Sequence, residues 1–118
     1  MCIRDSLKTI DDAELEPLGG RAEIEAFLLK MAKATCDFYI ENTPTDGIPY
    51  WDTGALDTHK LGEDVNDRPS EPFNDAEPVD SSAAAIGAQG LLRLGRYLDE
   101  PKYTQAGLTV MELSLIHI

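Results

Sequence analysis

The sequence predicts an all-α fold, a fragment of an (α/α) barrel with about three helices and one long loop. Three observations lead to this prediction. Apolar residues recur every three or four positions between Arg21 and Asn42, a nearly uncharged Ala-rich segment runs from Asp80 to Leu98, and a Pro-rich connection separates them. A half-exposed helix followed by a helix that is apolar on all sides is typical of the alternating outer and inner helices of such a barrel.

The first predicted helix covers Arg21 to Asn42. Its apolar residues are spaced three and four apart, and charged residues fall largely on the other side. Pro44 follows closely and prevents the helix from continuing. We therefore expect one amphipathic helix with one face in water. The residues of its apolar side are Ile24, Phe27, Leu28, Met31, Thr35, Phe38 and Tyr39.

A long connection rich in Pro, Asp, Gly and Asn covers residues 43 to 79. Loops of this length inside a compact domain are usually either functional or disordered. Tyr50, Trp51 and Phe73 favour order, because disordered linkers are poor in aromatic residues. We therefore expect a functional loop that is at least partly ordered.

The second predicted helix runs from Asp80 to Leu98. Asp80 or Ser81 is the expected N-cap, because side-chain oxygens accept hydrogen bonds from the free N–H groups at a helix start. Most of the segment is small or apolar on every side, and its two arginines lie near the C-terminal end, where the helix dipole favours cations. We therefore expect other helices to surround it.

A third helix is predicted from Lys102 to about Glu112. The preceding Asp99-Glu100-Pro101 interrupts the second helix, and Pro101 suits a first helical turn because no N–H is needed there. The apolar contacts of this helix are expected from Tyr103, Ala106, Leu108, Val110 and Met111.

The two ends of the chain are interpreted separately. Residues 1–6 (MCIRDS) and 113–118 (LSLIHI) resemble translations of sequencing-adapter DNA, and such segments are left out of fold predictions. The alternative is that both are native ends. We expect the natural domain to cover residues 7–112 and to be an internal part of a longer protein.

Charge and composition exclude several classes of function. The 118 residues allow one small domain, and 22 acidic against 10 basic residues give a formal net charge of −12. No nucleic acid and no membrane surface is expected as a partner, because a field of this sign repels phosphate groups. No apolar run is long enough to span a bilayer.

No metal site is expected from the sequence. Apart from the terminal segments, Cys36 and His59 are the single Cys and His, so neither an internal disulfide nor a zinc-binding spacing is available. The acidic residues of the loop do not follow EF-hand spacing, which favours a solvated acidic surface over a calcium site. Cys36 has no basic neighbour in sequence, so we interpret it as a small core residue and not a nucleophile.

Trp51-Asp52 is the first candidate for binding a carbohydrate. Aromatic rings pack against the apolar face of a pyranose, and nearby carboxylates bond sugar hydroxyls. Tyr50 and Trp51 would supply this platform, and Asp52 would bond a hydroxyl. The alternative, which the residues alone favour, is that Trp51 closes one end of the barrel and Asp52 caps a turn.

Asp80-Ser81-Ser82 is the second candidate. The N–H groups and hydroxyls at a helix start can hold a substrate carboxylate or hydroxyl. Plain N-capping by Asp80 is the favoured alternative, and it does not exclude substrate binding. The expected substrate-binding residues are therefore Tyr50, Trp51, Asp52, Asp80 and Ser81.

Two blocks of the sequence resemble the unsaturated glucuronyl hydrolases, glycoside hydrolase family 88. They are Asp46-Gly47-Ile48-Pro49-Tyr50-Trp51-Asp52, and Asp80-Ser81-Ser82-Ala83-Ala84-Ala85-Ile86 followed by Gly90-Leu91-Leu92-Arg93-Leu94. The resemblance covers roughly residues 21–111, and the second block is the more specific. It implies an (α/α)6 barrel, of which this chain would form about the last third.

The resemblance also implies a reaction on an oligosaccharide substrate. These enzymes remove a 4,5-unsaturated uronic acid from products of polysaccharide lyases by hydrating its vinyl ether. One Asp acts as general acid and base, a second Asp assists, and neither a metal nor an organic cofactor is implied. In the family order both Asp residues would lie upstream of Leu7. No catalytic residue is therefore expected in this chain, Asp52 and Asp80 included, and the chain alone is expected to be inactive.

Three alternatives stay open. The unsaturated rhamnogalacturonyl hydrolases share the barrel and the chemistry. Another (α/α)6 sugar enzyme, such as an acylglucosamine epimerase relative, would bring catalytic His residues, of which only His59 is available. A non-catalytic acidic helical interaction module would fold alone as a cooperative monomer, whereas a barrel fragment would expose an apolar side of the helix over residues 83–94.

Overall fold

The described part of the chain is helical in the computed structural model, which describes residues 7–117 and the side chains of residues 7–112. It contains no β-strand within those residues, so the all-α prediction is confirmed. The α-helices are α1 (Asp12–Leu15), α2 (Arg21–Glu41), α3 (Ser81–Leu98) and α4 (Pro101–His117). Short 3-10 helices cover Glu16–Leu18 and Thr58–Leu61.

The predicted adapter segments fall at the limits of this description. Residues 1–6 lie outside the described residues, and the side chains of residues 113–118 do as well. The α4 backbone continues past the predicted end at Glu112 to His117. The interpretation of both segments as artefacts stays a prediction.

The chain divides into two compact units, Met1–Thr35 and Cys36–Ile118. In the first unit, the Arg21 guanidinium at the start of α2 joins three preceding groups. It bonds the Asp12 carboxylate at 2.5 Å and the carbonyl oxygens of Leu7 and Ile10 at 2.7 and 2.6 Å. A single side chain therefore fixes the segment that leads into α2.

In the second unit, α3 packs against α4 through small residues. The side of α3 that faces inward is fully or almost fully buried, and in α4 Tyr103 and Val110 are each 1% exposed. The backbones approach so closely that a Cβ on Gly107 would lie 2.7 Å from the Leu92 side chain. The buried residues of α3 are Ala84, Ala88, Leu91, Leu94 and Gly95.

The opposite side of α3 is exposed, so the expectation of a fully surrounded helix is wrong for the described residues. Ile86 is 74% exposed, and Ala85, Gln89 and Gly90 beside it are exposed as well. The physical reason is that α4 packs against only one side of α3, the side that holds its buried residues. This exposed apolar side is what the barrel-fragment hypothesis predicts for this chain.

The predicted apolar side of α2 is also largely uncovered. The helix forms over the predicted residues, but none of its residues is fully buried. Phe27, Met31 and Phe38 are 61%, 50% and 55% exposed. The amphipathic pattern therefore predicted the helix correctly, whereas the burial that it implied is missing from the described chain. Among the described residues, no helix combines the length and apolar character that a bilayer crossing requires.

Candidate functional site

Backbone contacts between residues 49–51 and 78–80 join the two ends of the long loop, and we call this pairing the tie. It brings the two candidate motifs together. The two loop ends run antiparallel for a short distance, although they form no strand. The contacts are a bridge between Tyr50 and Val79, a bond of 2.9 Å from the Trp51 N–H to the Pro78 carbonyl, and one of 2.8 Å from the Asp80 N–H to the Pro49 carbonyl. Since α3 begins directly after this tie, the Trp51-Asp52 motif lies beside the start of α3.

Trp51 is held at its polar edge and exposed elsewhere. Its indole N–H donates to a carboxylate oxygen of Glu77, yet the residue remains 57% exposed. Glu77 is 7% exposed, and its second carboxylate oxygen accepts the Asp57 N–H at 2.9 Å. The only Trp of the chain is therefore a fixed and largely open aromatic surface.

Tyr50 is an interior residue of the loop. It is 9% exposed, and its hydroxyl accepts the Glu71 N–H at 3.2 Å. Ile48 and Leu61 are buried with similar completeness. The loop is thus ordered as expected, but Phe73 contributes nothing to this order because it is 94% exposed.

A buried carboxylate stabilises the first turn of the loop. Asp46 is 8% exposed, and its oxygens accept the Ile48 N–H at 3.1 Å and the Ser70 N–H and hydroxyl at 2.9 and 2.6 Å. A buried carboxylate needs such donors because desolvation without them is costly. Asp46 therefore joins the two halves of the loop.

Asp52 and Ser81 are exposed at the edge of this region. One Asp52 oxygen accepts the Gly54 N–H at 2.8 Å. This is the contact expected from the alternative interpretation, in which Asp52 caps a turn. This contact uses one of the two carboxylate oxygens of Asp52. Exposure leaves the side chain of Ser81 accessible at the first residue of α3.

Asp80 is the N-cap of α3. One of its oxygens accepts the N–H groups of Ser82 and Ala83, both at 2.9 Å, and the Ser82 hydroxyl at 2.6 Å. The Ser82 hydroxyl, followed by these backbone N–H groups, lowers the pKa of Asp80 below its ordinary value. The N–H groups of Ser82 and Ala83 are thus already bonded, so a substrate carboxylate would have to displace the cap to reach them.

The lowered pKa of Asp80 predicts a pH-dependent contribution to stability. A depressed carboxyl pKa stabilises the fold above the unfolded-state value of about 3.9, and this contribution is lost as the pH falls through the folded-state value. Asn is also a good N-cap but does not titrate, so Asp80→Asn is the matched variant. We expect the melting temperature of the wild type to fall relative to that of Asp80→Asn in this acid range, as measured by circular dichroism. Parallel pH profiles would contradict the prediction.

Tyr39 joins α2 to the loop and to α3. Its hydroxyl donates to the Gly47 carbonyl at 2.7 Å, and a Cβ on Gly87 would lie 2.7 Å from its ring. Burial, followed by the negative charges of Asp46 and Asp80, raises the pKa of Tyr39 to about 12. Tyr39 is therefore a protonated hydrogen-bond donor at neutral pH and acts as a packing residue.

Cys36 is the remaining side chain with potential chemistry, and its surroundings disfavour reactivity. Burial, followed by the charge of Asp37, raises the pKa of the Cys36 thiol, which disfavours the nucleophilic thiolate. Among the described residues, no three His, Cys, Asp or Glu side chains come together in an arrangement that could hold a metal ion.

No protein-family model matches the chain, and no solved structure matches it. The chain is similar to an unsaturated glucuronyl hydrolase. That curated protein, from Formosa agariphila, is 35% identical over 89 residues. The match covers 70% of this chain but only 17% of that relative, so the chain spans a small part of its length. The name of the relative supports the classes hydrolase and glycosidase.

The structure adds Glu77 and Asp46 to the predicted site residues. Both are buried acids in a loop whose charges the sequence indicated to be solvated. Asp46 opens the first block of the family resemblance and lies in a Thr-Asp-Gly sequence, but neither feature implies burial. Glu77 had no signal of its own, because its partner Trp51 lies 26 residues away.

Proposed function

We propose that this chain is part of a glycoside hydrolase that removes 4,5-unsaturated uronic acid from lyase-generated oligosaccharides. The observation that carries the proposal is the 35% identity over 89 residues to a protein named unsaturated glucuronyl hydrolase. The fixed and open Trp51 beside the start of α3 fits such a substrate, because a pyranose offers an apolar face to an aromatic ring.

The five proposed site residues take different roles in this proposal. Trp51 contacts the sugar ring, and the exposed Asp52 and Ser81 offer oxygens to its hydroxyls. Tyr50 and Asp80 support these three residues indirectly, since Tyr50 is buried in the loop and Asp80 caps α3. The reaction adds water across the C4–C5 double bond of the uronate, which places a hydroxyl on C5 and gives a hemiketal. The ring then opens by breakage of the bond between C5 and the ring oxygen, and the hemiacetal left at C1 collapses to an aldehyde and releases the sugar. The two Asp residues that move protons would belong to a part of the parent protein upstream of Leu7.

The experiment that tests this function uses the reading frame from which the chain comes, extended to its full length. The protein is incubated with unsaturated disaccharides from several polysaccharide lyases, and the ultraviolet absorbance of the conjugated uronate is followed. We expect this absorbance to fall as the double bond is hydrated. Unchanged absorbance on every lyase product would contradict the proposal.

Trp51→Ala tests whether the exposed ring of Trp51 contacts the substrate. We expect kcat/KM to fall about tenfold, because the loss of one stacking contact of about 1.4 kcal/mol corresponds to that factor. Phe73→Ala is the control, since it removes another exposed aromatic side chain from the same loop. An equal loss of activity in both variants would contradict a specific contact by Trp51.

A further inference from the structure

The buried carboxylate of Glu77 differs from the other acids of the loop in what it bonds. Of the loop acids, Glu77 and Asp46 alone are buried within the described residues, and Glu77 is the one that holds an exposed aromatic side chain. Its oxygens accept from two neutral donors, the indole of Trp51 and the Asp57 N–H. Within the described chain, no Lys or Arg forms an ion pair with it. Burying a carboxylate without a neighbouring cation is costly. The hydrogen bonds from the Trp51 indole and the Asp57 N–H offset this cost, so they indicate what Glu77 does in the loop.

Glu77 is itself fixed by its backbone. The Asn74 side chain accepts the Glu77 N–H at 2.8 Å and donates to the Glu77 carbonyl at 2.8 Å. The backbone N–H of Trp51 in turn donates to Pro78, the next residue along the chain. Trp51 is thus attached to the segment of residues 77–78 at two points, its backbone and its indole. Two attachment points fix the orientation of the ring as well as its position.

We infer that Glu77 is a positioning residue that fixes Trp51 as the sugar-binding surface of this protein. The inference rests on the proposed function for the identity of the ligand, a pyranose ring of an oligosaccharide. Its physical basis is pre-organisation, because a ring that is already immobilised loses less conformational entropy when a sugar binds. The polar edge is held by a buried acid, and more than half of the residue stays open to the ligand.

The positioning itself is tested on the 118-residue chain without ligand. Trp51 is the only Trp, so the chain gives a single indole N–H signal in NMR and a single Trp fluorescence. We expect the indole N–H of the wild type to exchange with solvent at least tenfold more slowly than that of free tryptophan, despite the exposure of the ring. Exchange at the rate of free tryptophan would overturn the inference.

Glu77→Gln disrupts this pair of accepted hydrogen bonds with little change of shape. Glutamine has one acceptor oxygen, and its NH2 group can only donate, so it cannot satisfy both N–H groups that the two carboxylate oxygens accept. We expect faster indole exchange and a lower fluorescence anisotropy of Trp51 in this variant. Glu63→Gln makes the same chemical change at an exposed loop position and should leave both signals unchanged. Unchanged anisotropy in Glu77→Gln would overturn the inference.

Asn74→Ala separates positioning of the ring from general support of the loop. It removes the bonds around the Glu77 backbone but leaves the carboxylate in place. We expect its effect on the anisotropy to be less than half of that of Glu77→Gln. An equal effect would assign Glu77 a merely structural role and overturn the inference.

Kinetics of the full-length reading frame separate this inference from the proposed function. On an unsaturated uronyl disaccharide, we expect Glu77→Gln to raise KM about tenfold with a smaller change in kcat. An unchanged KM would overturn the positioning role. Absence of activity in the wild type, with a slowly exchanging indole, would instead overturn the proposed function and with it the identity of the ligand.

Discussion

Replacement of Tyr103 by alanine is expected to destabilise the second unit by about 3–5 kcal/mol, the range for truncating a large buried aromatic side chain. Tyr103 is 1% exposed on the inner side of α4. Its hydroxyl donates to an Asp37 oxygen at 2.9 Å, which also accepts the Lys102 ammonium at 2.6 Å. The variant therefore creates a cavity and removes a bond between α4 and α2. Urea denaturation followed by far-ultraviolet circular dichroism measures the change.

Tyr103→Phe is the matched control because it keeps the ring and removes the hydroxyl. We expect a loss of about 0.5–1.5 kcal/mol, since the Asp37 carboxylate keeps its contact with Lys102. The difference between the two variants measures the packing of the ring alone. A loss below about 1 kcal/mol in Tyr103→Ala would contradict the buried position.

The second large effect is expected at Gly95, where α3 lies close to the backbone of α4. A Cβ on this residue would lie 2.3 Å from the Thr104 hydroxyl oxygen and 2.6 Å from the Thr104 backbone nitrogen. The hydroxyl can rotate away, but the backbone of α4 can move only with the helix. Gly95→Ala should therefore cost about 1–3 kcal/mol in spite of the better helix propensity of alanine. The free energy of unfolding in urea checks this value.

Gly90→Ala is the matched control on the same helix. Gly90 is exposed, and a Cβ there would meet no atom within 4 Å. Alanine in an open helical position is expected to stabilise the fold by about 0.5–1 kcal/mol. Gly95→Ala and Gly90→Ala should thus change the free energy of unfolding in opposite directions. Changes of the same sign would contradict the close approach of the two helices.

The helices were predictable from the sequence because their signals are local. Predicted Arg21–Asn42 is observed as Arg21–Glu41, and predicted Asp80–Leu98 as Ser81–Leu98 with Asp80 as its cap. Residue spacing, capping residues and prolines act within a few residues, so they predict helix bounds without knowledge of the tertiary structure. Burial is different, because it depends on which elements are available to cover an apolar side. The exposed sides of α2 and α3 show this dependence.

The candidate site was predictable only in part. The motifs around Trp51 and Asp80 were visible as residue types, but their proximity depends on backbone pairing between positions about 30 residues apart. Neither segment alternates polar and apolar residues over a strand length, so no periodic signal predicted that pairing. The burial of Glu77 follows from the same pairing. The sequence alone therefore gives no signal for the bond between Glu77 and Trp51.

The tie between Tyr50 and Val79 has a consequence for how proteins of this kind can diverge. The residues between the paired ends leave and return at one place, so insertions or deletions near residues 62–66, ahead of the bonds that Arg68 and Ser70 make with Thr45 and Asp46, would not shift the ends. The entropy of closing a loop grows only slowly with its length, and such changes would therefore cost little stability. The middle of the loop can therefore vary in length while the pair of α3 and α4 keeps its geometry.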